Sequence, residues 1–237
     1  SDLQFDSPYS NYSLSFDGST NFIDCGNDSS LSISGNLTIS AWVKINDYND
    51  YHGVVSKIDS STRNYEILIR PTAPTGGISF YISNTTFITS TGTVPLNTWT
   101  HIVVSVESGV TNGAKIYING SQDATTGTLT INSNTANLNI GRRTTGSFYM
   151  DGFIDETSIF NYSLSEAQVL EIYNNGRPKD LTTFSGTAPT NWWRLGENAY
   201  FDNNSFVVPN SISGAPNGTG AGTINTMISA DAPGTYA

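Results

Sequence analysis

Through most of this chain apolar residues recur at every second position, and only once does the period change. Between Ser165 and Gly176 the residues Ala167, Val169, Leu170, Ile172 and Tyr173 fall at helical spacing. Ser165 stands where an N-cap belongs, Gln168 follows at capping-box distance, and Gly176 marks the end. A chain with one short helix near 165–175 and strands elsewhere has few ways to build a core. Strands of five to nine residues, separated by turns, predict an all-β fold, an antiparallel β-sandwich or barrel, with the helix closing one edge or end.

The strands follow from alternation. Residues 12–17 form the first, and the turn at Gly18 leads to Phe22, Ile23 and Asp24. Leu37, Ile39, Ala41, Val43 and Ile45 line one side of a long strand. Strands are also predicted over 54–57, 65–70, 78–83, 87–90, 115–119, 121–125 and 138–141. Residues 99–107, WTHIVVSVE, are almost continuously apolar and suit a sheet covered on both faces. Trp42 and Trp99 are expected in the core. Asn119-Gly120 fits a two-residue hairpin with both φ angles positive. Just before the helix, residues 151–160 form a strand in which Asp155 and Glu156 are expected on opposite faces.

Of the 237 residues only 13% are charged, and the net charge is −10. The balance argues against binding a nucleic-acid backbone, which needs clustered Lys and Arg. Arg142-Arg143 is too small a group for that purpose. Cys25 has no second cysteine to pair with and is expected buried as a small hydrophobe. No apolar run is long enough to span a bilayer, so no membrane insertion is expected. The opening SDLQFDSPYS does not read as a signal peptide, which leaves the compartment open. From Leu181 the composition turns to Thr, Ser, Gly and Asn. Residues 1–181 therefore read as one domain. Residues 182–237 read as an appendage with one strand around Trp192, Trp193 and Leu195 and too few apolar residues for a separate core.

Six segments taken in order resemble the concanavalin A-like lectin and glucanase superfamily, in its laminin-G-like jelly-roll branch. They are SLSFDGSTNFIDCG at 13–26, LTISAWVK at 37–44, WTHIVVSV at 99–106, AKIYINGS at 114–121, LNIGRR at 138–143 and GFIDETSIFNYSLSEAQVLEIYNNG at 152–176. The tail, from NWWRLGENAY onward, resembles the strand that usually leads such domains. It either completes this jelly roll or starts a second copy. The resemblance implies a recognition module, carbohydrate-binding or adhesive, on a virion surface or an extracellular protein. Its partners would be a glycan or cell-surface receptor and other virion proteins. A structural decoration or spacer domain and a glycoside hydrolase of the same fold are the alternatives.

The resemblance also implies a structural calcium, with Asp17 and Asp155 as side-chain ligands and Asn21 or Asp24 completing the shell. Asp17 is equally suited to fixing its own turn. Zinc is not expected, because His52 and His101 have no partner at ligand spacing, and His101 is expected as a structural histidine. For a sugar, the loop holding Tyr48, Tyr51 and His52 and the loop holding Arg142, Arg143, Phe148 and Tyr149 are expected to share a rim. Hydrolysis is not expected. The Glu-x-Asp-x-x-Glu triplet that glucanases of this fold use is missing. Asp151 and Asp155, four strand residues apart, would stand ~13 Å from each other, too far for either glycosidase geometry.

Overall fold

The computed structural model describes residues 10–59, 62–83, 85–145, 148–222 and 226–234. Two antiparallel sheets pack face to face, as the alternation requires. The strands of the first sheet are β1 (Ser13–Asp17), β3 (Leu37–Ile45), β8 (Thr100–Val106), β9 (Ala114–Ile118), β10 (Ser121–Gly127), β12 (Asp151–Phe160), β13 (Asn191–Trp193) and β17 (Ile228–Ser229). Their order is β10-β9-β8-β3-β12-β1-β17, with β13 also paired to β12. The second sheet holds β2 (Phe22–Asp24), β4 (His52–Ile58), β5 (Arg63–Ile69), β6 (Gly77–Tyr81), β7 (Phe87–Thr93), β11 (Leu138–Ile140), β14 (Tyr200–Asp202), β15 (Ser205–Val208) and β16 (Gly218–Ala221). It runs β14-β15-β16-β2-β11-β4-β5-β6-β7.

Alternation decides what each sheet buries. Leu37, Ile39, Ala41, Val43 and Ile45 of β3 face Val55, Tyr65, Ile67, Ile69, Phe80 and Ile140 of the second sheet in one core. Each such side chain taken fully out of water contributes about 1.5–3 kcal/mol. The outer face of the first sheet is covered as well. There Val103 and Tyr117 pack beneath Phe160, Leu164, Val169, Ile172, Leu181 and Phe184. Burial on both faces is why 100–106 has no exposed face, its outward His101 and Ser105 being buried and hydrogen-bonded. On the same side Trp42 lies 4.9 Å from the His101 ring and stacks on Tyr173 at 5.9 Å. His101 is buried with its Nε2 2.8 Å from Ser40 Oγ, and burial holds its pKa down at about 3. Cys25 is buried in the core.

The helix α1 (Glu166–Tyr173) opens with the predicted capping box between Ser165 and Gln168. It ends earlier than predicted: Asn174, at φ 48°, takes the left-handed position, ahead of Gly176. Asn119 and Gly120 turn the β9–β10 hairpin with φ angles of 50° and 78°. Trp99 is a correction. It precedes β8, is only partly buried, and donates its Nε1–H to Asp231 Oδ1 at 2.9 Å. A tryptophan just outside a strand has no sheet neighbour on both sides to bury it.

The tail does more than composition predicts. β13 pairs with β12, β16 with β2 and β17 with β1. Trp193, Leu195, Phe206, Val208 and Met227 enter the main core. Short strands in a Gly- and Asn-rich segment carry few apolar residues each, so alternation alone misses them.

Candidate functional site

The Asp155-Glu156 pair does not obey strand alternation. Asp155 pairs with Trp42 and Ser158 with Ser40, so β12 advances three residues while β3 advances two. This β-bulge sits on Glu156, whose φ is 49°. Ile154 and Ile159, an odd number of residues apart, both reach the core as a result. The two carboxylates, expected on opposite faces, converge instead. On the free edge of β12, β1 covers residues 151–154 and β13 covers 157–159. The gap between them is filled by the residues that follow β13 and precede β1.

Glu197 closes that gap and completes a buried acidic cluster, in which one carboxylate oxygen each from Asp155, Glu156 and Glu197 lie within 4.8 Å of one another. Glu156 Oε1 accepts from Arg194 Nε at 2.9 Å and Oε2 from Trp192 Nε1 at 2.6 Å. Glu197 accepts from Ser10 Oγ and from the Tyr12 amide at 3.0 Å. Asp155 Oδ1 accepts from the Glu156 amide at 2.8 Å, but Oδ2 is buried without a hydrogen-bond partner. Burial first, then Glu156 and Glu197, push the Asp155 pKa well up, against the pull of the Ser10 hydroxyl and the Glu156 amide. Burial raises Glu156 to about 7 against the pull of Arg194. With all three ionised, the carboxylates set against one guanidinium leave two negative charges, which a divalent metal ion could cancel.

The structure does not bring the expected calcium ligands together. Asp17 pairs with Asp151, four residues along β12 from Asp155, which is ~13 Å at the rise of a strand. Asp17 fixes its own turn instead. Its Oδ1 accepts from the amides of Ser19, Thr20 and Asn21 at 2.7–3.0 Å. Burial works to raise its pKa, but these donors and the Thr20 hydroxyl hold it well below the usual carboxylate range. Asn21 is buried beside that turn. Asp24 lies in the other sheet and accepts from Asn137 Nδ2 and the Gly26 amide.

The second sheet leaves its outer face uncovered by helix, and polar side chains alternate onto it. Ser56, Glu66 and Tyr81 are register neighbours across β4, β5 and β6. Along this face runs a ladder of rings and charges. Phe87 stacks on Tyr81 at 4.7 Å, and the Arg63 guanidinium lies 4.8 Å from the Tyr81 ring. Arg63 Nε and Arg143 Nε stand 3.3 and 3.4 Å from the Glu66 carboxylate. Arg143 also lies 5.2 Å from the Phe148 ring, which sits 4.9 Å from Tyr51. Glu66 is fully buried; burial raises its pKa against the pull of the two arginines. Beside the ladder is a hollow of about 530 Å³ lined by Arg63, Arg143, Thr62, Thr85, Asn132 and Ser133, among others.

Part of the predicted rim thus assembles. The loop after β11 crosses β4 at Gly53, where a Cβ would meet the Arg142 carbonyl carbon and the Arg143 nitrogen at 2.5 Å. That crossing brings Arg143 and Phe148 to Tyr51. Arg142 lies over the Phe22 ring at 3.3 Å, donates to Asn139 Oδ1 and bridges to Tyr149. Tyr48 and His52 do not join. The Tyr48 hydroxyl donates to the Val94 carbonyl at 2.7 Å. His52 is buried, its Nε2 3.0 Å from the Asp47 carbonyl and its Nδ1 accepting from the Asp151 amide. Glu197, Arg194, Arg63 and Glu66 were not predicted. Glu66 was the most visible of them, a lone acid alternating with Tyr65 and Ile67.

The model of the Laminin_G_3 family, in the concanavalin A-like lectin/glucanases superfamily, matches residues 17–170. No curated protein matches the chain. Among solved structures the chain is similar to a proposed carbohydrate-binding protein from Bacteroides ovatus, with 14% identity and a TM-score of 0.69 over 94% of this chain and 62% of the other. The chain therefore spans less than two thirds of that protein's length. A SAP-like pentraxin from Limulus polyphemus superposes with 16% identity and a TM-score of 0.57, covering 76% and 91% of the two chains. Domain 4 of AbnA, a GH43 extracellular arabinanase from Geobacillus stearothermophilus solved with arabinotriose, does so with 22% identity and a TM-score of 0.56, covering 68% and 76%. At these identities the likeness is one of fold.

Proposed function

The chain belongs to the concanavalin A-like lectin/glucanase superfamily, and from that membership we propose that it is a non-catalytic carbohydrate-binding module that takes a glycan on the outer face of its second sheet. The observation that carries this reading is the ladder from Phe87 through Tyr81, Arg63, Glu66 and Arg143 to Phe148 and Tyr51. Sugar recognition pairs flat aromatic or guanidinium surfaces with fixed polar groups, and this face offers both beside a hollow of ligand size. The AbnA domain, solved with arabinotriose, supports the fold's suitability for sugar. A setting on a virion surface or an extracellular protein, with a cell-surface glycan as partner, accords with this role.

Catalysis is not part of the proposal. The three clustered carboxylates are buried or half-buried, and the void beside Glu156 is only about 10 Å³, the size of a single water. A glycosidase needs both carboxylates against the sugar. The cluster instead suits a structural cation. The unpartnered Asp155 Oδ2 is the donor that asks for one, and calcium is the hard ion that carboxylate oxygens favour. Asp155, Glu197 and Glu156 would hold it.

Isothermal titration against a panel of neutral and acidic oligosaccharides tests the glycan reading. Tyr81→Ala is expected to weaken binding at least about tenfold, in line with the loss of one aromatic platform, with an unchanged circular dichroism spectrum. Absence of binding across the panel, or full affinity in the variant, overturns it.

A further inference from the structure

Resting on that reading, we infer that the glycan taken by this face carries carboxylates, as uronic or sialic acid units do, and that Arg143 with Arg63 receives them in the hollow beside Glu66.

Charge placement is the first ground. The chain has six arginines and a net charge of −10. Four of the six, Arg63, Arg70, Arg142 and Arg143, lie on this one face, held by Tyr81, Thr89, Phe22 and Phe148. Acids share the face: Asp24, Asp59 and Glu66, with Asp202 on β14 at its far edge, and Asp59 lines the hollow itself. Asp24 is held by Asn137, Asp59 by the Thr62 amide and hydroxyl, and Glu66 by Ser56 and the two arginines. Arginine is thus concentrated on this face of an otherwise acidic protein. Within a screening length of about 8–10 Å an anion meets these guanidiniums rather than the net charge of the whole chain.

Pre-organisation is the second ground. Glu66 is fully buried and holds both guanidiniums from below. The Arg63 side chain is 7% exposed, its Nε has no hydrogen-bond partner, and the same is true of Arg143 Nε. Both side chains line the hollow, while Glu66 does not. Two planar forks fixed by one carboxylate have little rotamer freedom left to lose when a second carboxylate arrives. A neutral hydroxyl would use the same donors at roughly half the strength. Thr62, Thr85, Asn132 and Ser133 around the rim supply short partners for the remaining hydroxyls.

The test uses the whole chain and matched ligand pairs in calorimetry: oligogalacturonate against its carboxyl-reduced form, and sialyllactose against lactose. The acidic member of one pair should bind at least about tenfold tighter, a preference that weakens with added salt, and the preferred pair identifies the sugar. Arg143→Gln should abolish the preference, weakening the acidic member at least about tenfold more than the neutral one, with Arg143→Lys intermediate. If Arg143→Gln does not fold, the wild-type comparison and its salt dependence still decide. Equal binding of acidic and neutral members overturns this inference and leaves the glycan face standing. Binding of neither member of either pair overturns this inference, and the wider oligosaccharide panel then decides the glycan face.

Discussion

Asp155→Asn should make the protein more stable at pH 8 in the presence of a chelator, which few buried-carboxylate substitutions do. In the native cluster Asp155 and Glu156 are buried beside Glu197, and their raised pKa values record the cost of ionising them there. The two carboxyls titrate as one coupled unit. A carboxyl whose folded pKa lies above its unfolded value stabilises fully at low pH, and that stability is lost as pH rises through the folded pKa. For Glu156 the window runs from its ordinary 4.5 to about 7, and the loss across it is about 3 kcal/mol at 1.36 kcal/mol per pH unit. In a domain of this size that is roughly 6–12 °C in Tm. His101 works in the opposite sense, since burial lowers its pKa to about 3 and stability falls as pH drops below the ordinary 6.5. The wild-type curve alone therefore shows little between pH 5 and 6.5, and only the difference between variant and wild type isolates the cluster. Thermal melts from pH 5 to 8 with chelator should show Asp155→Asn gaining about 1–3 kcal/mol at pH 8 and nothing at pH 5, where the native cluster already holds its proton. Adding calcium should then raise the wild type and leave the variant unmoved. A variant less stable at pH 8, or a difference independent of pH, would refute the reasoning.

Two further outcomes follow from the packing. Gly53→Ala forces a methyl group against the backbone of Arg142 and Arg143; it should cost about 1–3 kcal/mol in denaturant melts and displace Arg143, seen as weakened glycan binding. Truncation after Leu181 removes Trp193, Leu195, Phe206, Val208 and Met227 from the core. The shortened chain should lose its cooperative melt, and a folded product would show that residues 182–237 belong elsewhere.

The sandwich was legible because inward residues recur at every second position in β3 and β5. The helix was legible from its capping box. What alternation could not reveal was its own interruption. Nothing in ETS announces a left-handed glutamate, so the bulge at Glu156 and the convergence of two carboxylates stayed hidden. Glu197 and Arg194 reach that cluster across some forty residues of chain, a distance at which spacing carries no signal. Arg142 and Arg143 were readable as a pair with a nearby aromatic loop, because both loops flank strands that neighbour each other. Their partners Glu66 and Arg63 came from the register of β4 and β5, which only the folded sheet fixes. Asp17 shows the converse: a carboxylate in a metal-like motif whose Oδ1 accepts three amides of its own turn.

The pairing of β1 with β17 sets how the domain answers a pull. Ser13 lies opposite Ser229 and Leu14 opposite Ile228, so the chain departs on both sides from the same end of this ladder. Tension applied through the two flanks opens the seam like a zipper, one pair at a time, instead of shearing all pairs together. Lys44 and the Ser13 hydroxyl, both bonded to Asp231, clasp that end of the seam.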